Sequence, residues 1–203
     1  MPLSDTAVRS AKATDKPYKL PDEKGLFLLV HPNGSKYWRQ KYRFGGKEKL
    51  LSLGVYLETG LKDARQRRDA ARKLLADGVD PGEHRKAAKA VKVERAANSF
   101  EVIGREWFEK NRETWAASHA DKIIKRLEND VFPWLGGKAI AEITAPDVLS
   151  VLRRIEGRGT LDTAHRAGGN CSQIFRYAIA TGRADRDPVP DLRGALPPAR
   201  GGN

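Results

Sequence analysis

The sequence predicts an α+β protein: a three-stranded antiparallel sheet packed on a helix, then a linker, then an all-α domain of four helices. Between residues 25 and 53, three short runs rich in apolar and aromatic residues are separated by turn residues, which is typical of a strand meander. After residue 98 the apolar residues recur only at the spacing of amphipathic helices. The predicted boundaries are residues 1–82 for the first domain, 83–98 for the linker, 99–186 for the helical domain and 187–203 for a proline-rich exit segment.

The first domain is predicted to begin with a short helix over Thr6–Lys12, capped by Ser4 or Asp5. Two consecutive glycines separate the last two strands, and they suit the two-residue turn of a β-hairpin. A longer helix is predicted over Leu61–Ala76, because apolar residues there recur at helical spacing among arginines and lysines. The three strands are predicted at Gly25–Val30, Lys36–Phe44 and Lys47–Leu53.

Residues 83–98 are rich in alanine, lysine and arginine, which predicts an exposed linker with partial helicity. Each of the four helices that follow begins after a residue that can cap it. A glycine inside a helix costs roughly 1 kcal/mol relative to alanine, so the pair Gly168-Gly169 predicts a kink or fraying in the fourth helix. The predicted caps are Ser99, Ser118, Thr144 and Thr160, and the first, second and fourth helices end near Asn111, Trp134 and Gly182.

The composition narrows the class of protein. Lys and Arg number 38 against 26 Asp and Glu, a net charge of +12, and most of the excess lies before residue 98. This balance fits a nucleic-acid partner, although solubility or attraction to anionic lipid would give the same composition. The single cysteine, Cys171, excludes an intramolecular disulfide and a zinc site with two thiolates. No apolar stretch approaches the roughly 18 to 20 residues that cross a bilayer, and the N-terminus lacks the apolar core of a secretion signal, so we expect a bacterial cytoplasmic protein.

Common catalytic and metal-binding motifs are absent from the sequence. It contains no GxxxxGK[ST], no GxSxG, no HExxH and no CxxC. The histidines lie far apart along the chain, and none has another histidine one helical turn away. We therefore expect neither a cofactor nor a metal ion.

The middle strand carries the sharpest functional pattern. Because side chains alternate across a sheet, its three cations share one face and its aromatic residues share the other. The aromatic face can pack on the Leu61–Ala76 helix and leave the cations on a surface narrow enough for a DNA major groove. A merely solvated face is the alternative, but Lys36, Lys47 and Lys49 at the same hairpin end favour a phosphate-facing surface. The cations are Arg39, Lys41 and Arg43, and the aromatic residues are Trp38, Tyr42 and Phe44.

Weaker candidates lie on two helices of the second domain. Polar and basic residues there avoid the apolar stripes, and Asn or Gln beside Arg can hydrogen-bond base edges. A solvated helix face explains them equally well, because such residues are common on any exposed helix. They are His119, Lys122, Lys125 and Arg126 on the second helix, and His165, Arg166, Asn170 and Gln173 on the fourth.

Several segments resemble parts of a known family. The first set comprises LSDTAVRSAK, DKPYKLPDEKGLFLLVHPNGSKYWRQKYRFGGKEKLLSLGVY and LKDARQRRDAARKLLADGVDP. These runs are similar to the N-terminal DNA-binding domain of the phage and prophage tyrosine recombinases, or integrases. Their core-binding domain is similar to SFEVIGREWFEKN, RLENDVFPWLGGKAIAEITAPDVLSVLRRIEGRG and NCSQIFRYAIATGRADRDPVPDLRGAL. The resemblance covers nearly the whole chain, and both halves match in the expected order.

The resemblance implies two DNA-binding parts. In the family, the N-terminal sheet recognises arm-type sites that flank the crossover region, and a SAM-like four-helix domain binds the core site. The implied arm-site residues are His31, Tyr37, Arg39, Lys41, Arg43, Lys47 and Ser52. The implied core-site residues are His119, Lys122, Lys125, Arg126, Arg166 and Asn170. The implied partners are double-stranded attachment-site DNA, further integrase protomers and accessory DNA-bending proteins, with a monomer expected in the absence of DNA.

The sequence departs from the family pattern in its catalytic residues. A complete integrase has a catalytic domain with an Arg, a Lys, a His-x-x-Arg pair and a tyrosine nucleophile. This sequence contains no HxxR, and its five tyrosines all lie in the segments that resemble DNA-binding domains. We therefore expect no strand cleavage by this chain alone. The alternative function is a free-standing regulator or directionality factor that occupies attachment sites without cutting; an RNA-binding protein is disfavoured because the cationic sheet face lacks a stacking set of aromatic residues.

Overall fold

The computed structural model describes residues 2–198, and its N-terminal part contains an antiparallel sheet of four strands where the sequence predicts three. The strands are β1 (Tyr18–Pro21), β2 (Leu26–Val30), β3 (Lys36–Phe44) and β4 (Lys47–Val55). Each strand pairs with its neighbour in sequence, so β1 and β4 are the edges. The missed strand is β1, whose alternating pattern extends over only four residues and which ends in a proline that an edge strand tolerates. The predicted α+β class is confirmed.

Strands β3 and β4 form the hairpin that the two glycines predict. Gly45 and Gly46 have φ values of 56° and 75°, the positive values that a two-residue turn of the primed type requires. The pairing shifts by one residue beside Trp38 and Arg39, where Leu53 of β4 is the extra residue of a β-bulge. The bulge keeps Arg39 directly opposite a β4 residue on its own face of the sheet.

Two helices accompany the sheet, α1 (Asp5–Ser10) and α2 (Leu61–Ala76). The hydroxyl of Ser4 accepts a hydrogen bond from the Ala7 N–H and caps α1, as predicted. The core between the helices and the sheet is centred on Trp38, which is fully buried and donates its indole N–H to the Thr59 carbonyl at 2.9 Å. One face of the sheet is therefore closed by apolar packing, and the other faces away from this core.

The predicted linker is a helix, α3 (Pro81–Ala97). Its alanines, lysines and arginines have high helix propensity but form no apolar stripe, so Pro81 is its one buried residue. The chain divides into two compact units, Met1–Lys89 and Ala90–Asn203, which we call the N-terminal and C-terminal units. The predicted domain boundaries stay a prediction.

The C-terminal unit contains the predicted helices, with one of them interrupted. The second predicted helix consists of α5 (Ala117–Arg126), a π-helical turn over Leu127–Val131, and α6 (Phe132–Leu135). Pro133 lies in the first turn of α6, where its ring excludes an ordinary helical bond to the carbonyl four residues before, and the wider turn accommodates it. The helices are α4 (Phe100–Asn111), α5 (Ala117–Arg126), α6 (Phe132–Leu135), α7 (Ala145–Glu156) and α8 (Leu161–Ala180).

Three details of these helices test the sequence predictions. Ser99 caps α4 and Thr144 caps α7 as predicted, but α5 begins after Ala116, so the predicted cap at Ser118 is wrong. The predicted fraying at the glycine pair is also wrong, because α8 is continuous over 20 residues. Gly168 is useful there, since a Cβ atom at this position would lie 3.3 Å from the Leu152 side chain on α7. The glycine allows the two helices to pack closely.

The core of the C-terminal unit is built around aromatic rings. The rings of Phe100 and Phe175 lie 5.5 Å apart, and Phe132 packs edge-on against Phe100 at 6.3 Å. After α8, a short 3₁₀ turn over Val189–Leu192 packs its apolar residues on this core. Residues 199–203 of the predicted exit segment lie outside the described residues.

Candidate nucleic-acid interface

The side of the sheet that faces away from the Trp38 core, which we call the outward sheet face, carries the predicted cations. Lys41 and Arg43 are exposed, whereas Trp38 and Tyr42, which have the opposite parity on β3, are buried. The alternation predicted for β3 is therefore confirmed. Opposite these cations on β4 lie a hydroxyl, an apolar side chain and a carboxylate. The residues of this face on the two strands are Tyr37, Arg39, Lys41 and Arg43 on β3, and Glu48, Leu50 and Ser52 on β4.

Arg39 occupies the middle of the outward sheet face. It pairs with Phe27 on β2 and with Ser52 on β4. Its guanidinium carbon lies 5.8 Å from the centre of the Tyr37 ring, and His31 packs edge-on against the same ring at 5.8 Å. Its Nε atom is buried and has no hydrogen-bond partner among residues 2–198. The structure therefore brings four of the predicted arm-site residues together in one cluster.

Lys41 is held differently from Arg39. Its ammonium lies 2.8 Å from the Glu48 carboxylate, and both side chains are more than half exposed. The hydrogen bond from Lys41 lowers the pKa of Glu48 below its ordinary value. Arg43 pairs directly with Glu48 across the strands, so one carboxylate lies beside two cations. Exposed pairs of this kind contribute little to stability and leave the lysine available to another anion.

The three lysines predicted at one hairpin end do not share a surface. Lys36 lies at the opposite end of β3, where its ammonium donates to the Val8 carbonyl at 2.8 Å. Lys49 points to the covered side of the sheet and forms an ion pair with Asp80, whose pKa falls to about 2 because Lys49 and then Tyr42 donate hydrogen bonds to it. Lys47 is exposed beside the turn but has the parity of the covered side, opposite Phe44. Lys36 and Lys49 therefore bind protein groups.

Sequence reasoning missed Lys19. It lies on β1 opposite Leu29, which puts it on the outward sheet face, and its ammonium lies 5.1 Å from the centre of the Phe27 ring. The available signal was the alternation of Tyr18, Lys19 and Leu20, in which a single outward residue, Lys19, stands between two inward ones. Leu50 is 57% exposed on the same face, as its parity predicts.

On the helical side, Arg126 and Asn170 bind each other. Arg126 at the end of α5 is half-buried and donates to the Asn170 side-chain oxygen on α8 at 2.7 Å. Burial, followed by repulsion from Arg166, lowers the pKa of Arg126 from its ordinary value. Asn170 is only 8% exposed, so its expected position on a solvated face is wrong. This pair links two helices.

The other predicted core-site residues are more accessible. Lys122 and Lys125 are exposed on α5, and no ion pair within residues 2–198 includes either. His119 is exposed and packs edge-on against Trp115 at 6.2 Å. Arg166 on α8 is exposed and donates to Asp162 at 2.7 Å. These side chains and Arg126 form what we call the helical cationic surface.

The comparisons with known proteins agree with this division into a sheet part and a helical part. Residues 3–88 match the family model of the arm DNA-binding domain, and residues 100–195 match that of the phage integrase central domain. A solution structure of a fragment of the integrase IntS of Escherichia coli is 34% identical, and the match covers 53% of this chain and 98% of that fragment with a TM-score of 0.44. The chain belongs to the phage integrase family.

The curated relatives of this chain are about twice as long as the segment that matches it. Prophage integrase IntS of Escherichia coli strain K12 is 39% identical over 96% of this chain and 49% of the relative. The integrase of Shigella phage Sf6 is 38% identical over 96% of this chain and 49% of the relative. The chain thus spans about half the length of these curated integrases.

Two tyrosines of this integrase chain are held by carboxylates. The Tyr42 hydroxyl donates to Asp80 at 2.7 Å, and burial followed by this hydrogen bond raises the pKa of Tyr42 to about 12. The Tyr177 hydroxyl donates to Glu106 at 2.5 Å, and this bond raises the pKa of Tyr177. A raised pKa disfavours the phenolate, which is the nucleophilic form.

Two further properties concern residues 2–198 as a whole. None of the helices in this range combines the length and the apolar character that crossing a membrane requires. The same residues bring together no group of three or more His, Cys, Asp or Glu side chains that could hold a metal ion.

Proposed function

We propose that the chain is the DNA-binding portion of a phage-type integrase that acts in site-specific recombination and DNA integration. The outward sheet face binds arm-type sites, and the helical cationic surface binds the core site. The observation that carries the proposal is the segregation of Arg39, Lys41 and Arg43 on the uncovered side of a sheet in a domain that matches the arm DNA-binding model.

The chemistry of the outward sheet face suits duplex DNA. A β-ribbon can enter the major groove, where its side chains meet base edges and its flanks meet phosphates. Cations on such a surface release condensed counterions when they neutralise phosphates, which gives strong and salt-dependent binding. His31, Tyr37 and Ser52 add hydrogen-bonding groups beside Arg39, and Lys19 extends the charge towards β1.

The helical cationic surface suits a second, separate contact. Lys122 and Lys125 offer exposed ammonium groups on α5 that take part in no ion pair within residues 2–198, and such groups can neutralise phosphates. Arg126 and Arg166 add charge from the adjoining ends of α5 and α8. In this role Asn170 positions Arg126 instead of contacting DNA.

We infer that the residues that the structure describes do not themselves cleave DNA strands. A tyrosine nucleophile must lose its proton during attack on phosphate, and cationic donors must meet the developing charge. Tyr42 and Tyr177 instead donate to carboxylates, which is the opposite electrostatic environment. The expected partners are double-stranded attachment-site DNA, further integrase protomers and DNA-bending proteins in the bacterial cytoplasm, with the free chain monomeric.

A mobility-shift titration tests the proposal. The chain is titrated against duplexes of arm-type and core-type sequence from the attachment region of its own genetic element, and against a scrambled duplex of equal length and composition, at near-physiological salt. Preferential binding to the arm duplex, with weaker preference for the core duplex, is the expected result. Equal affinity for all three duplexes, or no binding, contradicts it.

A further inference from the structure

We propose that Arg39 recognises the edge of a guanine in the major groove, whereas Lys41 and Arg43 contact phosphates. The inference rests on the proposed function, because it divides roles within the outward sheet face. It identifies one specificity-determining side chain and the base that it selects.

The position of Arg39 favours contact with a base. It lies on an inner strand, between Phe27 on β2 and Ser52 on β4, so neighbouring strands flank it on both sides. Arg43 lies next to the β3–β4 turn, and Lys41 lies between the two. When a ribbon enters a groove, its centre faces the groove floor and its ends approach the backbones, so Arg39 has the best access to base edges.

The surroundings of Arg39 restrict its side chain before DNA binds. Its stem is flanked by Phe27, which is only 8% exposed, and its guanidinium lies over the Tyr37 ring. His31 supports that ring from the other side of the turn. A planar group held in one orientation loses less conformational freedom when it forms two parallel hydrogen bonds.

A buried nitrogen without a hydrogen-bond partner within residues 2–198 distinguishes Arg39 from the other cations of the outward sheet face. Lys41 is bonded to Glu48, and Arg43 lies opposite the same carboxylate. No ion pair in the part of the chain that the structure describes includes Arg39, and its Nε atom has no acceptor there. An acceptor supplied by DNA would therefore replace no internal partner of Arg39 within residues 2–198.

Guanine is the base that fits this donor. It presents two acceptors, O6 and N7, side by side in the major groove, and the arginine fork matches them with two hydrogen bonds. Adenine and cytosine each present an amino donor in the groove, and thymine presents a single acceptor beside a methyl group. A lysine at the same position keeps the charge but offers a single ammonium without the fixed fork.

The experiment begins with selection from a pool of random-sequence duplexes by the full chain, by its Arg39→Lys variant and by its Arg43→Lys variant. Arg43→Lys is the matched control, because it makes the same exchange on the same face of the same strand. The duplex enriched by the unmodified chain is then resynthesised with each guanine replaced in turn by deazaguanine, which lacks the N7 acceptor. This second measurement needs no protein variant.

The expected result is an enriched motif with one guanine whose replacement by deazaguanine or another base weakens binding roughly 10- to 100-fold. Arg39→Lys should lose the preference at that position and keep the salt dependence, while Arg43→Lys should keep the motif. Retention of the full motif by Arg39→Lys, or an enriched motif insensitive to deazaguanine, overturns the inference. Absence of binding to every duplex instead overturns the proposed function.

Discussion

The two cationic surfaces differ in how the fold presents their charges. On the outward sheet face, alternation puts every second residue of β3 away from the core, so the three cations lie on the uncovered side and two of them, Lys41 and Arg43, are exposed. On the helical cationic surface, neighbouring positions turn gradually around the helix, and Arg126 at the margin is half-buried against Asn170. In a strand, alternation therefore puts DNA-binding and core residues on opposite sides of the sheet. At the edge of a helix's apolar face, one side chain such as Arg126 can both carry surface charge and bond to a neighbouring helix.

The two surfaces also differ in their counter-charges. The outward sheet face contains one carboxylate, Glu48, beside Lys41 and Arg43. On the helical side Arg166 is bonded to Asp162 and lies close enough to Arg126 to lower its pKa. The counter-charge thus lies across two strands on the sheet and on the same helix as its arginine on the helical side, and DNA binding to either surface should weaken as salt increases.

The largest expected effect is a loss of stability confined to the N-terminal unit. Trp38→Ala removes a fully buried indole and its hydrogen bond to Thr59, which should cost about 3 to 5 kcal/mol of stability. Thermal unfolding should show early loss of the N-terminal unit, and mobility shifts should show loss of arm-site but not core-site binding. Trp134→Ala, at a position 51% exposed, is the control and should leave both unchanged. Loss of both activities in Trp38→Ala would mean that the units do not fold separately.

The next effect tests whether Asn170 is structural. Asn170→Ala removes the acceptor of a half-buried guanidinium, and a hydrogen bond to a charged group is worth about 1.5 to 3 kcal/mol. Urea denaturation should report a loss of this size. Gln173→Ala changes an exposed residue on the same helix and should have almost no effect. Unchanged stability combined with weaker core-site binding would instead indicate a direct contact between Asn170 and DNA.

The sequence was sufficient for the outward sheet face because its pattern is local. The parity of Arg39, Lys41 and Arg43 follows from one strand, and the structure confirms it. Lys36 and Lys49 were misplaced although the strand bounds put Lys36 at the far end of β3 from the turn and Lys49 on the side of the buried Leu51. Their acceptors, Val8 and Asp80, are remote in sequence, 31 residues away in the case of Lys49. Local periodicity contains no information about such contacts.

The same reason explains the errors in the helical part. The burial of Asn170 depends on Arg126, 44 residues earlier, and helix periodicity alone left it on a polar face. The sequence of α8 also does not show that Leu152 of α7 approaches Gly168, where a Cβ atom would lie 3.3 Å from the leucine side chain. The helices themselves were predictable, because their apolar stripes and the caps Ser99 and Thr144 are local signals.

A smaller effect on DNA affinity is expected when one cation of either surface is removed. Lys41→Ala should weaken arm-site binding and reduce the slope of log K against log salt by about 0.9, the contribution of one neutralised phosphate. Core-site binding should be unchanged. Lys122→Ala should give the mirror result, with the loss confined to the core duplex. Titrations at several salt concentrations measure both slopes, and equal losses on both duplexes for either variant would contradict the assignment of one surface to each site.

Acid should destabilise the N-terminal unit in part through the carboxyl group of Asp80. Asp80 has a pKa of about 2 in the folded chain, below the ordinary value of 3.8. The ionised form therefore stabilises the folded state above about pH 4, and this contribution disappears as the pH falls towards 2. Hydrogen exchange of the β3 amides should increase over that range, and Asp80→Asn should flatten the change. An unaltered profile in Asp80→Asn would assign the effect to other carboxyls, such as Asp147 with its pKa also about 2.

The smallest expected effect concerns the single carboxylate on the outward sheet face. Glu48→Gln removes the partner of Lys41 and the charge opposite Arg43 while preserving the size of the side chain. Because the ion pair is exposed and weak, affinity for the arm duplex should rise by at most about fivefold at low salt. The gain should shrink as salt increases, since salt screens exposed charges.

Glu58→Gln is the matched control for this variant, because it removes the same charge from an exposed residue in the loop after β4. If the two variants bind equally well, the gain reflects net charge alone. If only Glu48→Gln binds more tightly, Glu48 competes with phosphate for Lys41 and Arg43. In that case the carboxylate lowers general affinity for DNA and leaves Arg39, which it does not contact, to determine which sequence is bound.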